Sequence, residues 1–154
     1  MAGQNSFDEL DLKILAELGG DARRPYKEIA KKLGISTSTV FFRVRNLMKN
    51  GVIRGFRLSM DLEKLGFDLT VAIFVKVSGG KLTKVEEQLG RMPQTVAVYD
   101  ITGDWDTLVI AKFRSRAELN TFVKKVLSLP YIEHTCTYTV LNTVKEDAYA
   151  ELLK

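Results

Sequence analysis

Residues 25–51 read PYKEIAKKLGISTSTVFFRVRNLMKNG, and the organisation of the N-terminal third follows from them. Pro25 suits the first position of a helix, Ile29, Ala30 and Leu33 give that helix an apolar side, and Gly34 supplies its stop. Ser36 is a cap for the next helix, predicted from Thr37 to about Asn50, in which Val40, Val44, Leu47 and Met48 recur at i, i+4, i+7 and i+8. Gly51 closes it. The joining Leu33-Gly34-Ile35-Ser36 is a short glycine-containing turn, so the stretch has the form of a helix-turn-helix. Upstream, Leu12, Ile14, Leu15 and Leu18 predict one more helix from Asp8 to about Leu18, ended by Gly19-Gly20. Downstream, the alternation from Ile53 to Met60 predicts a short strand or wing, which completes a first domain over residues 1–60.

Charge is distributed unevenly. Residues 20–60 hold ten Lys or Arg against Asp21 and Glu28, a local +8, whereas residues 61–154 hold twelve basic and thirteen acidic groups, a net −1. That asymmetry fits a basic module that meets a polyanion beside a near-neutral module with another task; a solvated charged face is the plainer alternative. The chain of 154 residues is 45% apolar, enough for one ordinary domain or two small ones. Its apolar runs are too short to cross a bilayer, and Met1–Asn5 lacks a basic-then-apolar export signal, so an intracellular, cytoplasmic protein is expected. One cysteine, Cys136, and one histidine, His134, exclude an internal disulfide and multi-Cys or multi-His metal sites; no metal and no cofactor are expected.

Beyond Asp61 the texture changes to strand-like runs at about 69–77, 95–102, 105–113 and 131–143. Between them lie two amphipathic helices. One carries Leu82, Val85, Leu89 and Met92 and ends at Pro93; the other starts at Ser115, with Glu118 completing a capping box, and carries Leu119, Phe122 and Val126. The order βαββαβ over residues 61–154 is the split, ferredoxin-like arrangement, so the expected class is α+β. The first strand has Val71, Ile73 and Val75 on one side and Ala72 and Phe74 on the other, and two helices cover only one side of a four-stranded sheet. The second side is expected to meet another copy, giving a homodimer.

At 100° per residue, Ser38, Phe42, Arg45 and Lys49 lie opposite the buried stripe of the Thr37–Asn50 helix. Arg45 can donate to guanine or phosphate, Thr37 and Ser38 sit at the helix start, and Phe42 can either contact a thymine methyl or pack on a neighbouring element. Arg43, on the flank, reaches either a phosphate or an ion partner on the first helix. Lys27, Lys31, Lys32 and Arg54 are phosphate candidates or merely solvated. Double-stranded DNA is the expected partner.

The segments Leu10–Leu15, Asp21-Ala22-Arg23, Glu28-Ile29-Ala30, Leu33–Ser36, Arg43–Leu47 and Gly51–Phe56, followed by Thr102–Asp106, together resemble the Lrp/AsnC family of bacterial and archaeal regulators over nearly the whole chain. Trp105 stands where the family usually has tyrosine or phenylalanine, and Met48-Lys49 where many members have glutamate after the leucine. The resemblance implies a winged helix-turn-helix, a linker strand, and a βαββαβ effector domain that dimerises and often builds octamers. It also implies that a small effector, usually an amino acid, binds near the Thr102-Gly103-Asp104-Trp105-Asp106 turn at contacts between dimers, with the last strand contributing.

From the residues alone, Gly103-Asp104 is a tight turn that needs no ligand, yet backbone amides beside Asp104 or Asp106 suit the two ends of a zwitterion. Thr135, Thr137 and Thr139 on one face of the last strand either complete a polar pocket or form ordinary strand surface. The expected function is a sequence-specific transcriptional regulator whose assembly responds to an amino acid; an effector-independent architectural DNA binder is the alternative. No catalysis is expected, because His134 and Cys136 share a strand face without an oxyanion loop or metal set.

Overall fold

A computed structural model describes residues 7–146; residues 1–6 and 147–154, the outer ends of the two expected domains, lie outside the described residues. The described chain forms two compact units, one running through Ser59 and the other spanning Met60–Val144.

The first unit contains helices α1 (Glu9–Gly20), α2 (Tyr26–Leu33) and α3 (Thr37–Lys49). α1 starts on a reciprocal cap made by two aspartates. The Asp8 carboxylate accepts the Asp11 N–H, and the Asp11 carboxylate accepts the Asp8 N–H, each at 3.0 Å. α1 runs through both glycines that were expected to end it. Pro25, expected at the first helical position, lies one residue before α2 and makes no side-chain cap, and Gly34 ends α2 in the left-handed region at φ +68°, which a residue without a Cβ adopts most readily. Ser36 caps α3 by accepting the Thr39 N–H at 3.0 Å.

Ile14, Leu18, Ile29, Ala30, Val40 and Val44 form the buried centre of this unit. Met48 does not join it: its side chain is 48% exposed, because position 48 falls at the rim of the Val40, Val44 and Leu47 stripe. Of the short strand or wing expected over Ile53–Met60, no paired strand forms among the described residues. Residues 54–60 are extended or irregular, with Gly55 at φ +147°, and no strand among the described residues pairs with them. A strand needs a neighbour for its backbone groups, which alternation in sequence does not provide. Ile53 instead turns back, its N–H donating to the Leu47 carbonyl at 3.1 Å.

The second unit follows the expected βαββαβ order: β1 (Leu69–Val77), α4 (Leu82–Gly90), β2 (Thr95–Asp100), β3 (Thr107–Phe113), α5 (Arg116–Leu127) and β4 (Ile132–Thr139). The last three strands are shorter than expected at their ends around the 101–106 loop and after Thr139. The sheet order is β2-β3-β1-β4, all antiparallel. Val71, Ile73 and Val75 of β1 pair with Ala111, Val109 and Thr107 of β3 and face Val85 and Leu89 of α4 and Phe122 and Val126 of α5. The alternate set, Ala72, Phe74, Leu108 and Ile110, faces away from both helices and is half-buried. At α5, Ser115 accepts the Glu118 N–H, but the Glu118 carboxylate takes the Arg114 N–H at 3.0 Å, so the expected box is shifted by one residue on its return bond.

Phe113 is fully buried and meets Phe122 edge-on at 5.1 Å between ring centres. Phe113→Ala is expected to destabilise the sheet unit by about 3–5 kcal/mol, measured by urea denaturation.

Candidate nucleic-acid interface and effector loop

α3 is held from behind by its own flank. Arg43 Nη1 lies 2.6 Å from Asp8 Oδ2 and 3.1 Å from Asp11 Oδ1, the same two carboxylates that cap α1. Of the two roles open to Arg43, the ion pair with α1 is formed. The arrangement holds the Asp8 carboxyl below its ordinary 3.8, first because the Arg43 guanidinium donates to it and then because the Asp11 N–H does. Two further cations are engaged by a carboxylate of α1. Arg24 and Lys32 both pair with Glu17, with Lys32 at 2.5 Å, and this keeps the Glu17 carboxyl low.

The opposite side of α3 is open. Phe42 and Phe41 are 57% and 49% exposed, and Thr37, Ser38, Arg45 and Lys49 are exposed as well. Lys27 and Arg54 are also exposed, and neither they nor Arg45 and Lys49 take an ion-pair partner among the described residues. Ser38 is partly committed, its hydroxyl lying 2.8 Å from that of Ser36 in the cap. Phe41 is the residue that sequence reasoning missed; its position between the buried stripe and Arg45 on the helical wheel gave the available signal.

The second candidate site is a loop. The expected tight turn at Gly103-Asp104 is a six-residue connection from Ile101 to Asp106, closed by the Ile101 N–H donating to the Asp106 carbonyl at 3.0 Å. Strand pairing stops at Asp100 and Thr107 because Asp106 turns to β1 instead. Its carboxylate accepts the Val77 N–H at 2.8 Å and the Lys76 ammonium at 3.0 Å, while its own N–H donates to the Val75 carbonyl. The Val77 N–H, and then Lys76, hold the Asp106 carboxyl below its ordinary value. Thr102, Gly103 and Asp104 are exposed, with Gly103 at φ +120°, and Trp105 is half-buried.

Trp105 lies 6.2 Å from Phe74, which meets Tyr138 edge-on at 5.7 Å, all on the side of the sheet away from the helices. Thr137 and Thr139 are not brought to this place. Register pairs them with Ile73 and Val71, so they face the helix side and line a groove of about 500 Å³ with Leu119, Val123 and Arg116 of α5. Among the described residues no group of His, Cys, Asp and Glu is arranged to hold a metal ion, and no helix is long and apolar enough to cross a membrane.

The chain matches the winged helix-turn-helix DNA-binding domain over residues 7–54 and the Lrp/AsnC ligand binding domain over residues 70–150. An uncharacterized HTH-type transcriptional regulator of Pyrococcus furiosus is 46% identical over 141 residues, covering 92% of this chain and 95% of that one. The solved structure of E. coli AsnC superposes with a TM-score of 0.85 at 27% identity, covering 94% of this chain and 98% of that one. A Neisseria meningitidis regulator solved as an L-Met complex shares the fold, with a TM-score of 0.83 at 23% identity, over 92% of this chain and 94% of that one. Three helices with an exposed cationic face, joined to this sheet unit, define a DNA-binding transcriptional regulator with a ligand-binding domain, not an enzyme. The chain belongs to the Lrp/AsnC family.

Two outcomes follow from this geometry. Arg43→Met is expected to lower the melting temperature at neutral pH. Because the Asp8 carboxyl is depressed in the folded chain, the ion pair contributes fully above the ordinary value of 3.8 and is lost as the pH falls below it. The gap between variant and wild type, followed by calorimetry, should therefore close in acid. Asp106→Ala, which removes the loop's anchor on β1, is expected to shift the emission of Trp105, the sole tryptophan, to longer wavelength as its ring becomes wetter.

Proposed function

We propose that the outward side of α3 enters the major groove of an operator, and that an amino acid bound at the 101–106 loop selects the oligomer that presents paired α3 helices to DNA. The observation that carries the first part is the division of cations on α3: Arg43 is tied to α1, while Arg45 and Lys49 point outward without ion partners among the described residues. In this reading Thr37, Ser38, Phe42 and Arg45 face base edges, and Lys49, Lys27 and Arg54 face phosphates. Arg43, tied to α1, sets the angle of the helix.

For the effector, the free carboxylate is Asp104, suited to an ammonium, and the exposed backbone at Thr102 and Gly103 suits a carboxylate. Asp106 positions the loop and Trp105 supplies an apolar wall. Thr137 and Thr139, on the other face of the sheet, take part only if a neighbouring copy brings its loop to them. The L-Met bound to the Neisseria meningitidis regulator favours an amino acid as the first class to test. The half-buried Ala72, Phe74, Leu108 and Ile110 favour a homodimer closed over that face, with higher forms such as an octamer built from dimers. An effector shifts the assembly only through unequal affinity for two of these forms.

The test is selection of duplexes from a random pool, with and without the twenty amino acids, together with light scattering. Discrete, phased half-sites and a change of oligomer size with one amino acid are expected; recovery of the pool without sequence preference would instead mean an architectural DNA binder. On the selected duplex, Arg45→Ala should lose about 1–3 kcal/mol and relax the preference at one base pair. Lys27→Ala should weaken all sequences alike.

A further inference from the structure

The outward side of α3 is unusual in its chemistry. Phe41 and Phe42 stand on it edge to face, ring centres 5.6 Å apart with planes at 75°, and both are about half exposed. Aromatic pairs in this geometry attract each other, so the two rings form a pre-set apolar ridge. Two adjacent exposed phenylalanines are not what a solvated helix face needs, and such patches mark contact surfaces.

The groups able to read bases by hydrogen bonding are few on this face. Ser38 is drawn into the Ser36 cap, and Asn46 lines the groove beside Asp8 and Arg43 along α1. Thr37, at the helix start, and Arg45 remain, and Arg45 lies at i+4 from Phe41 and i+3 from Phe42, on the same side of the helix as the ridge. The surroundings are cationic, through Arg45 and Lys49, which favours a polyanion over an apolar protein surface as the occupant. Within the major groove of unmodified DNA, the one apolar group on any base edge is the C5-methyl of thymine.

We infer that the Phe41–Phe42 ridge reads thymine C5-methyl groups, so that operator choice by this protein rests on methyl contacts flanking the base pair read by Arg45. The inference depends on the proposed entry of α3 into the major groove. It adds a chemical requirement: removing the methyls, with every Watson–Crick hydrogen bond retained, must weaken binding.

The test uses the full chain at fixed salt and three duplexes: the sequence selected from the random pool, the same sequence with deoxyuridine in place of thymidine throughout its half-sites, and an unselected sequence. Wild type is expected to bind the deoxyuridine duplex more weakly by about fourfold for each methyl in contact. The double variant Phe41→Ala with Phe42→Ala, its helicity checked by circular dichroism, is expected to bind the thymidine and deoxyuridine duplexes equally.

A selected sequence without thymine in its half-sites would overturn the inference. Equal binding of the two duplexes by wild type would do so as well, while leaving DNA recognition by α3 intact, since the selected duplex would still be preferred over the unselected one. A variant whose loss is the same on both duplexes and is accompanied by a smaller oligomer would assign the ridge to a contact between copies and overturn the inference too. Failure of the wild type to bind any duplex would instead remove the underlying reading of α3. Because the deoxyuridine comparison needs only the wild-type chain, the inference stays testable even if the variant does not fold.

Discussion

One guanidinium shared between two carboxylates sets the geometry of the DNA-binding unit. Arg43 reaches back from α3 to Asp8 and Asp11, and those aspartates are already locked to each other's backbone across the first turn of α1. Ordering one long side chain therefore fixes a helix against a pre-ordered acceptor, which costs less entropy than pairing two flexible partners. With Arg43 held on one flank and Val40, Val44 and Leu47 buried, α3 has one side left to present, and it is the side bearing Phe41, Phe42, Arg45 and Lys49.

The sheet unit repeats this economy with a carboxylate at its centre. Asp106 satisfies a backbone N–H at the end of β1 and an adjacent ammonium, so the loop before β3 is anchored at one end and open at Thr102, Gly103 and Asp104. Trp105, next to the anchor, touches Phe74 on the half-buried face. A ligand that moved the loop would therefore disturb the face proposed to join two copies, and this gives effector binding a physical route to assembly.

Much of this was legible in the sequence, for reasons that separate the successes from the misses. Helix spacing at Val40, Val44 and Leu47, and the punctuation at Gly34 and Ser36, are local signals and placed the helix-turn-helix correctly. The βαββαβ order was legible for the same reason. Apart from local slips at Gly19-Gly20, Met48 and the return bond of the α5 cap, what failed depended on partners distant in sequence. Arg43 stood between two roles because its acceptors lie more than thirty residues away. The alternation of Ile53–Met60 resembled a strand, but no pairing strand meets it among the described residues. The threonine row of β4 was visible as a row, yet only register against β1 assigns Thr137 and Thr139 to the side of the sheet away from Trp105. The resemblance to a family supplied the candidate loop; the roles of Lys76 and Phe74 beside it came from tertiary structure alone.

The most direct test of the account is hydroxyl-radical footprinting of side chains by mass spectrometry, on the full chain with and without a bound duplex. Phe41 and Phe42 are exposed when the protein is free, so both are expected to be oxidised. The account predicts that DNA lowers oxidation at these two residues while Leu127 and Leu141, exposed in the sheet unit, keep their rates. Unchanged rates at Phe41 and Phe42, with protection confined to the sheet unit in a complex known to have formed, would contradict it.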